Sequence, residues 1–117
     1  MAEYTSTFYK DLEKKLNDPE FARAYHREGI RIKMIDDLIN LLDDARVLDG
    51  ISKVDLARSM QQEPANLRRF FTAKKRNPTM SSFIDIAMSL GYKVTLEPLS
   101  NQDKKLVTAK PKRALAG

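Results

Sequence analysis

Residues 51–80 read ISKVDLARSMQQEPANLRRFFTAKKRNPTM, two short helical patterns separated by a tight break, with cations crowding the second. Ser52 can N-cap a helix whose apolar positions Val54, Leu56, Ala57 and Met60 fall on one stripe, and the pattern stops at Gln61 and Gln62. A second helix then opens at Pro64, whose fixed φ and missing N–H suit the first helical position. It carries Leu67, Phe70 and Phe71 inward at i, i+3 and i+4, which leaves Asn66, Arg68 and Arg69 towards the outside. Such a helix–turn–helix can seat one basic rod in the major groove of DNA, which is wide enough to admit a helix.

Charge supports this independently. The same window holds seven Lys or Arg against two acids, a net of +5, whereas residues 1–50 hold eight cations against eleven acids and net −3. Residues 81–100 net −1 and residues 101–117 net +4, so the chain is split into blocks of opposite sign. Nucleic acid is the natural partner of the basic blocks.

The flanking sequence reads as further helices. A first runs over residues 7–16, with Phe8, Leu12 and Leu16 spaced by four, and Asn17 or Asp18 caps the next, with Pro19 in its first turn. Its apolar positions are Phe21, Tyr25, Ile32, Ile35, Leu38, Ile39, Leu42 and Ala45, as far as the turn Leu48-Asp49-Gly50, and Gly29 is a candidate bend. After a loop at residues 74–77, Pro78 with Thr79 or Ser81 opens a helix whose apolar face is Phe83, Ile84, Ile86, Ala87 and Leu90, and Gly91 ends it. The period then changes to two: Tyr92, Val94 and Leu96 alternate with Lys93, Thr95 and Glu97 until Pro98, which predicts one short strand. Beyond residue 100 the sequence is polar, basic and aperiodic, and a disordered tail is expected.

The motifs of residues 51–96 resemble the DNA-binding domain of phage repressors and bacterial Xre-type regulators, and are most similar to the antidote proteins of toxin–antitoxin modules. The resemblance rests on Ser52-Lys53-Val54-Asp55-Leu56-Ala57, Leu67-Arg68-Arg69-Phe70, Lys75-Arg76-Asn77-Pro78 and the helix at residues 83–91, and covers about 45 of 117 residues. It departs at Gln61, where the family's turn usually has Gly, and at Glu63, Pro64 and Ala65, where the recognition helix usually opens on polar residues. The implied architecture is all-α: a lambda-repressor-like helix-turn-helix bundle of about five helices. An N-terminal helical extension occupies residues 1–30, the DNA-binding domain with its short C-terminal strand residues 31–99, and the basic tail residues 100–117. The implied function is a sequence-specific repressor, the antitoxin of a module that autoregulates its operon. A phage or prophage regulator without a toxin and a purely protein-binding antidote are the alternatives.

The candidate DNA-binding residues are Ser52, Lys53, Pro64, Ala65, Asn66, Arg68, Arg69, Lys74, Lys75 and Arg76. Lys74, Lys75 and Arg76 lie beside the second helix, where related domains touch phosphate. Arg68 and Arg69 are about 100° apart on the helix, so they cannot both face one groove, and Arg69 is the favoured base reader. Asn66 can pair with adenine.

A lone strand leaves backbone N–H and C=O groups without partners. Either residues 4–8 pair with it, or Tyr92, Val94 and Leu96 pair with their counterparts in a second copy. The second arrangement gives a twofold dimer that matches the symmetry of a double-stranded operator.

Asp36-Asp37 and Asp43-Asp44 repeat at seven residues, hence on one helix side. A solvated helix face is the plain reading, and a docking surface for a small basic toxin is the sharper one, which the antidote resemblance raises. No second cluster of His or Cys and no Gly-rich phosphate loop accompanies them, and no nucleophile–base pair is legible, so neither a catalytic residue, a metal nor a cofactor is expected. The chain has no Cys, begins on no signal-peptide pattern and holds no apolar run of membrane length, and a cytoplasmic protein is expected.

Overall fold

The computed structural model describes residues 2–108, with side chains from Thr7 onward. Six helices make up its regular structure: α1 (Ala2–Leu16), α2 (Pro19–Leu48), α3 (Lys53–Ser59), α4 (Pro64–Thr72), α5 (Met80–Ser89) and α6 (Asn101–Val107). The protein is therefore all-helical among the described residues. None of these helices is long and apolar enough to cross a membrane.

Two compact units divide the chain, one formed by residues 32–97 and the other by residues 1–31 with 98–117. In the first, α2 contributes Ile39 and Leu42, α3 Leu56 and Ala57, α4 Leu67 and Phe71, and α5 Ile86 and Ala87, joined by Leu90, to one buried apolar cluster. Ile35, Ile51, Met60, Phe70 and Phe83 seal its edges. Val54, expected on the inward stripe of α3, is instead exposed. With Leu56 and Ala57 filling the core side of a helix of only two turns, its position faces away.

Three of these helices stop by the same device. The Ile51, Gln62 and Tyr92 N–H groups donate back to the Arg46, Ala57 and Ala87 carbonyls at 3.0, 2.9 and 2.8 Å, while Gly50, Gln61 and Gly91, one residue earlier, donate to Val47, Arg58 and Met88. These are Schellman caps, which satisfy the orphan carbonyls of a helix end through one left-handed residue. Glycine supplies that residue twice, and Gln61 supplies it at φ 56° between α3 and α4. The same geometry is thus obtained from a residue that pays a steric cost for it.

Helix starts are equally local. Ser52 Oγ accepts from the Asp55 N–H at 3.0 Å, and Thr79 Oγ1 accepts from the Ser82 N–H at 3.0 Å. Pro64 occupies the first turn of α4, following Glu63, whose side chain makes no cap hydrogen bond.

The second unit corrects two expectations. α1 begins at Ala2, so the residues 4–8 considered as a strand are helical, and α6 lies where a disordered tail was expected. α6 is nucleated by Ser100, whose Oγ accepts from the Asp103 N–H at 3.1 Å, and its C-terminal carbonyls are met by cations from α2. Arg27 donates to Val107 O and Arg23 to Thr108 O, each at 3.2 Å, with Val107 buried. Arg31 hydrogen-bonds Glu28 one turn earlier, which holds the exposed Glu28 carboxyl below its usual range and raises the guanidinium. Residues 109–117 of the expected tail lie outside the described residues.

The strand expected at residues 92–96 does not form within the chain: no strand occurs among the described residues. A strand needs a neighbour to take its backbone groups, and with residues 2–16 committed to helix no such segment is left among the described residues. Tyr92, Val94 and Leu96 stand exposed on an irregular segment. Gly29 does not break α2, which runs unbroken for 30 residues. A glycine in mid-helix costs about 0.5–1 kcal/mol relative to Ala, too little to interrupt a helix anchored along its later half by Ile39, Leu42 and Ala45.

Candidate nucleic-acid interface

α4 is seated by the two residues that bury its inner face, Leu67 at 1% exposure and Phe71 at 4%. Phe70 extends the seat, its ring edge-on to Phe71 with centroids 4.9 Å apart and 6.3 Å from Phe83. This leaves Asn66, Arg68 and Arg69 exposed on the opposite side. Arg69 NH2 donates to Asn66 Oδ1 one turn away, so the two side chains lie side by side on α4. The Thr72 hydroxyl donates to Arg68 O at 2.6 Å, and no acidic residue stands in the first turn of α4.

α3 packs directly on α4. Of its predicted contributors, Ser52 is exposed with its hydroxyl engaged as the N-cap, and Lys53 is half-buried at the first helical position. Pro64 and Ala65 are half-buried at the start of α4. Lys74 and Lys75 are exposed in the segment that leaves α4.

Arg76 is placed differently from its two neighbours. Its guanidinium donates to Phe71 O at 2.8 Å and Ala73 O at 3.3 Å, closing the C-terminal end of α4, and to Asn40 Oδ1 on α2 at 3.0 Å. Asp36 lies 3.8 Å from it, and the arginine side chain is only 17% exposed. These bonds take three of its five N–H donors and hold the side chain against α4 and α2, so Arg76 fastens the basic segment.

The acidic repeat divides in the same way. Asp36 faces Arg76, and Asp43 accepts from Arg46 Nε at 2.9 Å. Arg46 itself is 13% exposed, donates to Ile51 O at 2.8 Å and lies over the Phe71 ring at 5.6 Å. Asp37 and Asp44 are exposed, with Asp37 paired to Lys33 at 2.6 Å. Of the four candidate docking residues, two therefore belong to internal clamps on the arginines that hold α4.

Asn40 and Arg46 carry no signal in the sequence, because Asn40 meets Arg76 and Arg46 meets Ile51 O and the Phe71 ring only through tertiary packing. Of the apolar positions expected along α2, Tyr25, Ile32 and Leu38 are exposed, as are Met34, Leu41 and Leu48. Among the described residues no group of His, Cys, Asp or Glu is arranged to hold a metal ion. Comparison with protein-family models, curated proteins and solved structures finds no match for this chain.

Proposed function

We propose that the chain is a sequence-specific DNA-binding repressor in which α3, the Gln61 turn and α4 act as a helix–turn–helix of lambda-repressor type, with α4 as the recognition helix. The observation that carries this reading is the outer face of α4: Asn66, Arg68 and Arg69 exposed on a helix fixed from behind by Leu67 and Phe71, with the exposed Lys74 and Lys75 following it. In this role Asn66 and Arg69 read base edges, while Arg68, Lys74, Lys75, Lys53 and the Ala65 N–H at the start of α4 hold phosphates, Pro64 setting that end without a donor of its own. Ser52 supports this set by capping α3, and Arg76 by fixing the segment that carries the lysines.

The antidote resemblance extends the proposal to the antitoxin of a toxin–antitoxin module, acting in the cytoplasm as a homodimer that represses its own operon and neutralises a small basic toxin. The test is a gel shift with the region upstream of the chain's own gene, with and without excess nonspecific DNA. Retention of one fragment under competition supports a repressor. A chain that captures a protein encoded beside it yet shifts no DNA at low salt is a protein-binding antidote instead.

A further inference from the structure

Met34, Leu38, Leu41, Ala45 and Leu48 follow one another on α2 at intervals of four, three, four and three. That is the spacing of a coiled-coil seam. Every member except Ala45 is exposed, Leu41 at 63% and Leu48 at 83%, although Ile39 and Leu42 of the same helix are buried. An amphipathic helix that has already buried one apolar stripe therefore carries a second one in solvent. Apolar side chains gathered on one helix face in this way, rather than scattered singly, are what an interaction surface presents.

The edges of the seam differ. At 100° per residue, Ile35, Ile39 and Leu42 lie beyond one edge, where the helix meets the core, and Asp37 and Asp44 line the other. Asp36 and Asp43 fall on the far side of the core stripe, where Arg76 and Arg46 take them. Between residues 32 and 48 the only cations are Lys33, paired with Asp37, and Arg46, turned towards Phe71. The seam thus offers apolar contact beside a border that carries Lys33 with Asp37 and Asp44 and nets −1, and it has no border of net positive charge. A second copy would bring the same acidic border against it.

We infer that the α2 seam is a docking groove for another protein, and that its occupant is an amphipathic helical segment with apolar residues at heptad spacing flanked by Lys or Arg. Coiled-coil pairing places such flanking charges beside Asp37 and Asp44, where they select the partner and its orientation. This deepens the toxin-binding half of the proposed function. Its test contains no DNA, so it succeeds or fails separately from operator recognition.

The experiment titrates the full chain with two synthetic three-heptad helices that share a leucine seam, one flanked by lysines and the other by glutamates, at low and moderate salt. The lysine-flanked helix is expected to bind at least about tenfold more tightly than the glutamate-flanked one, with an affinity that falls as salt rises. Leu38→Ser combined with Leu41→Ser should abolish binding while thermal unfolding stays cooperative, since both side chains are exposed. Asp37→Asn combined with Asp44→Asn should reduce the preference between the two helices. Equal binding of both helices, no binding of either, or unchanged binding by the leucine variant overturns the proposal. So does a wild-type dimer that the leucine variant converts to monomer, because a second copy would then be what covers the seam.

Discussion

The Arg76 guanidinium donates to Asn40 Oδ1 at 3.0 Å, joining residues 36 apart in sequence, while the same group closes the end of α4 through Phe71 O and Ala73 O. One side chain thus ties the last turn of α4 to α2. Lys74 and Lys75 leave α4 from a fixed point because of it.

Replacing Arg76 by Ala should destabilise the fold by about 1–3 kcal/mol, because two carbonyls and Asn40 lose a charged donor together. Lys at this position should recover only part of the loss, since a point-like ammonium cannot reproduce the planar fork. Urea denaturation followed by circular dichroism measures both. Under conditions where Arg76→Ala is still folded, its DNA affinity should fall for all sequences alike, but by less than that of Lys74→Ala with Lys75→Ala, because the lysines lose their anchor and not their charge.

The acidic repeat should separate into two classes. Asp43→Asn with Asp36→Asn weakens the partly buried Arg46 and Arg76 clamps and should lower stability by about 1–2 kcal/mol. Asp37→Asn with Asp44→Asn touches exposed groups and should change it by less than about 0.5 kcal/mol. Equal costs for both pairs in denaturant titrations would remove the structural distinction between them.

Two backbone positions should accept stabilising changes. Gln61 adopts φ 56°, so Gln61→Gly relieves a left-handed conformation and should add up to about 1 kcal/mol, part of the relief being offset by the extra freedom of glycine in the unfolded chain. Gly29 lies inside α2 with nothing within 4 Å of an added Cβ, so Gly29→Ala should add about 0.5–1 kcal/mol. Calorimetric melting of each single variant tests them.

Much of the α3–α4 geometry was legible because it is local. Ser52, Thr79, Pro64 and Gly91 each act within a few residues of themselves, and chain-local chemistry is what a sequence displays directly. The Ser100-x-x-Asp103 start of α6 was equally local and was obscured by the basic composition around it. Arg76 was not legible: its acceptors are carbonyls and a side chain brought near only by tertiary packing. Alternation at Tyr92, Val94 and Leu96 was a true pattern whose meaning depends on a neighbour, and the described residues provide none.

That segment makes the dimer testable. If residues 92–96 of two copies pair as strands, Val94→Pro removes a ladder donor and should shift the protein towards monomer in light scattering, with loss of cooperative operator binding. A parent protein that is monomeric at operator-binding concentrations would exclude this mode of assembly.

The central claim is tested most directly by DNA affinity measured against salt for the parent, Lys74→Ala with Lys75→Ala, and Arg69→Ala. The parent's log–log plot should be steep, the lysine variant should bind all sequences more weakly with a slope shallower by up to about 2, and Arg69→Ala should keep most of the slope while losing about 1–3 kcal/mol of discrimination at one base position. Salt-independent binding, or no binding at low ionic strength by a folded parent protein, would contradict the assignment of α4 as a DNA-reading helix.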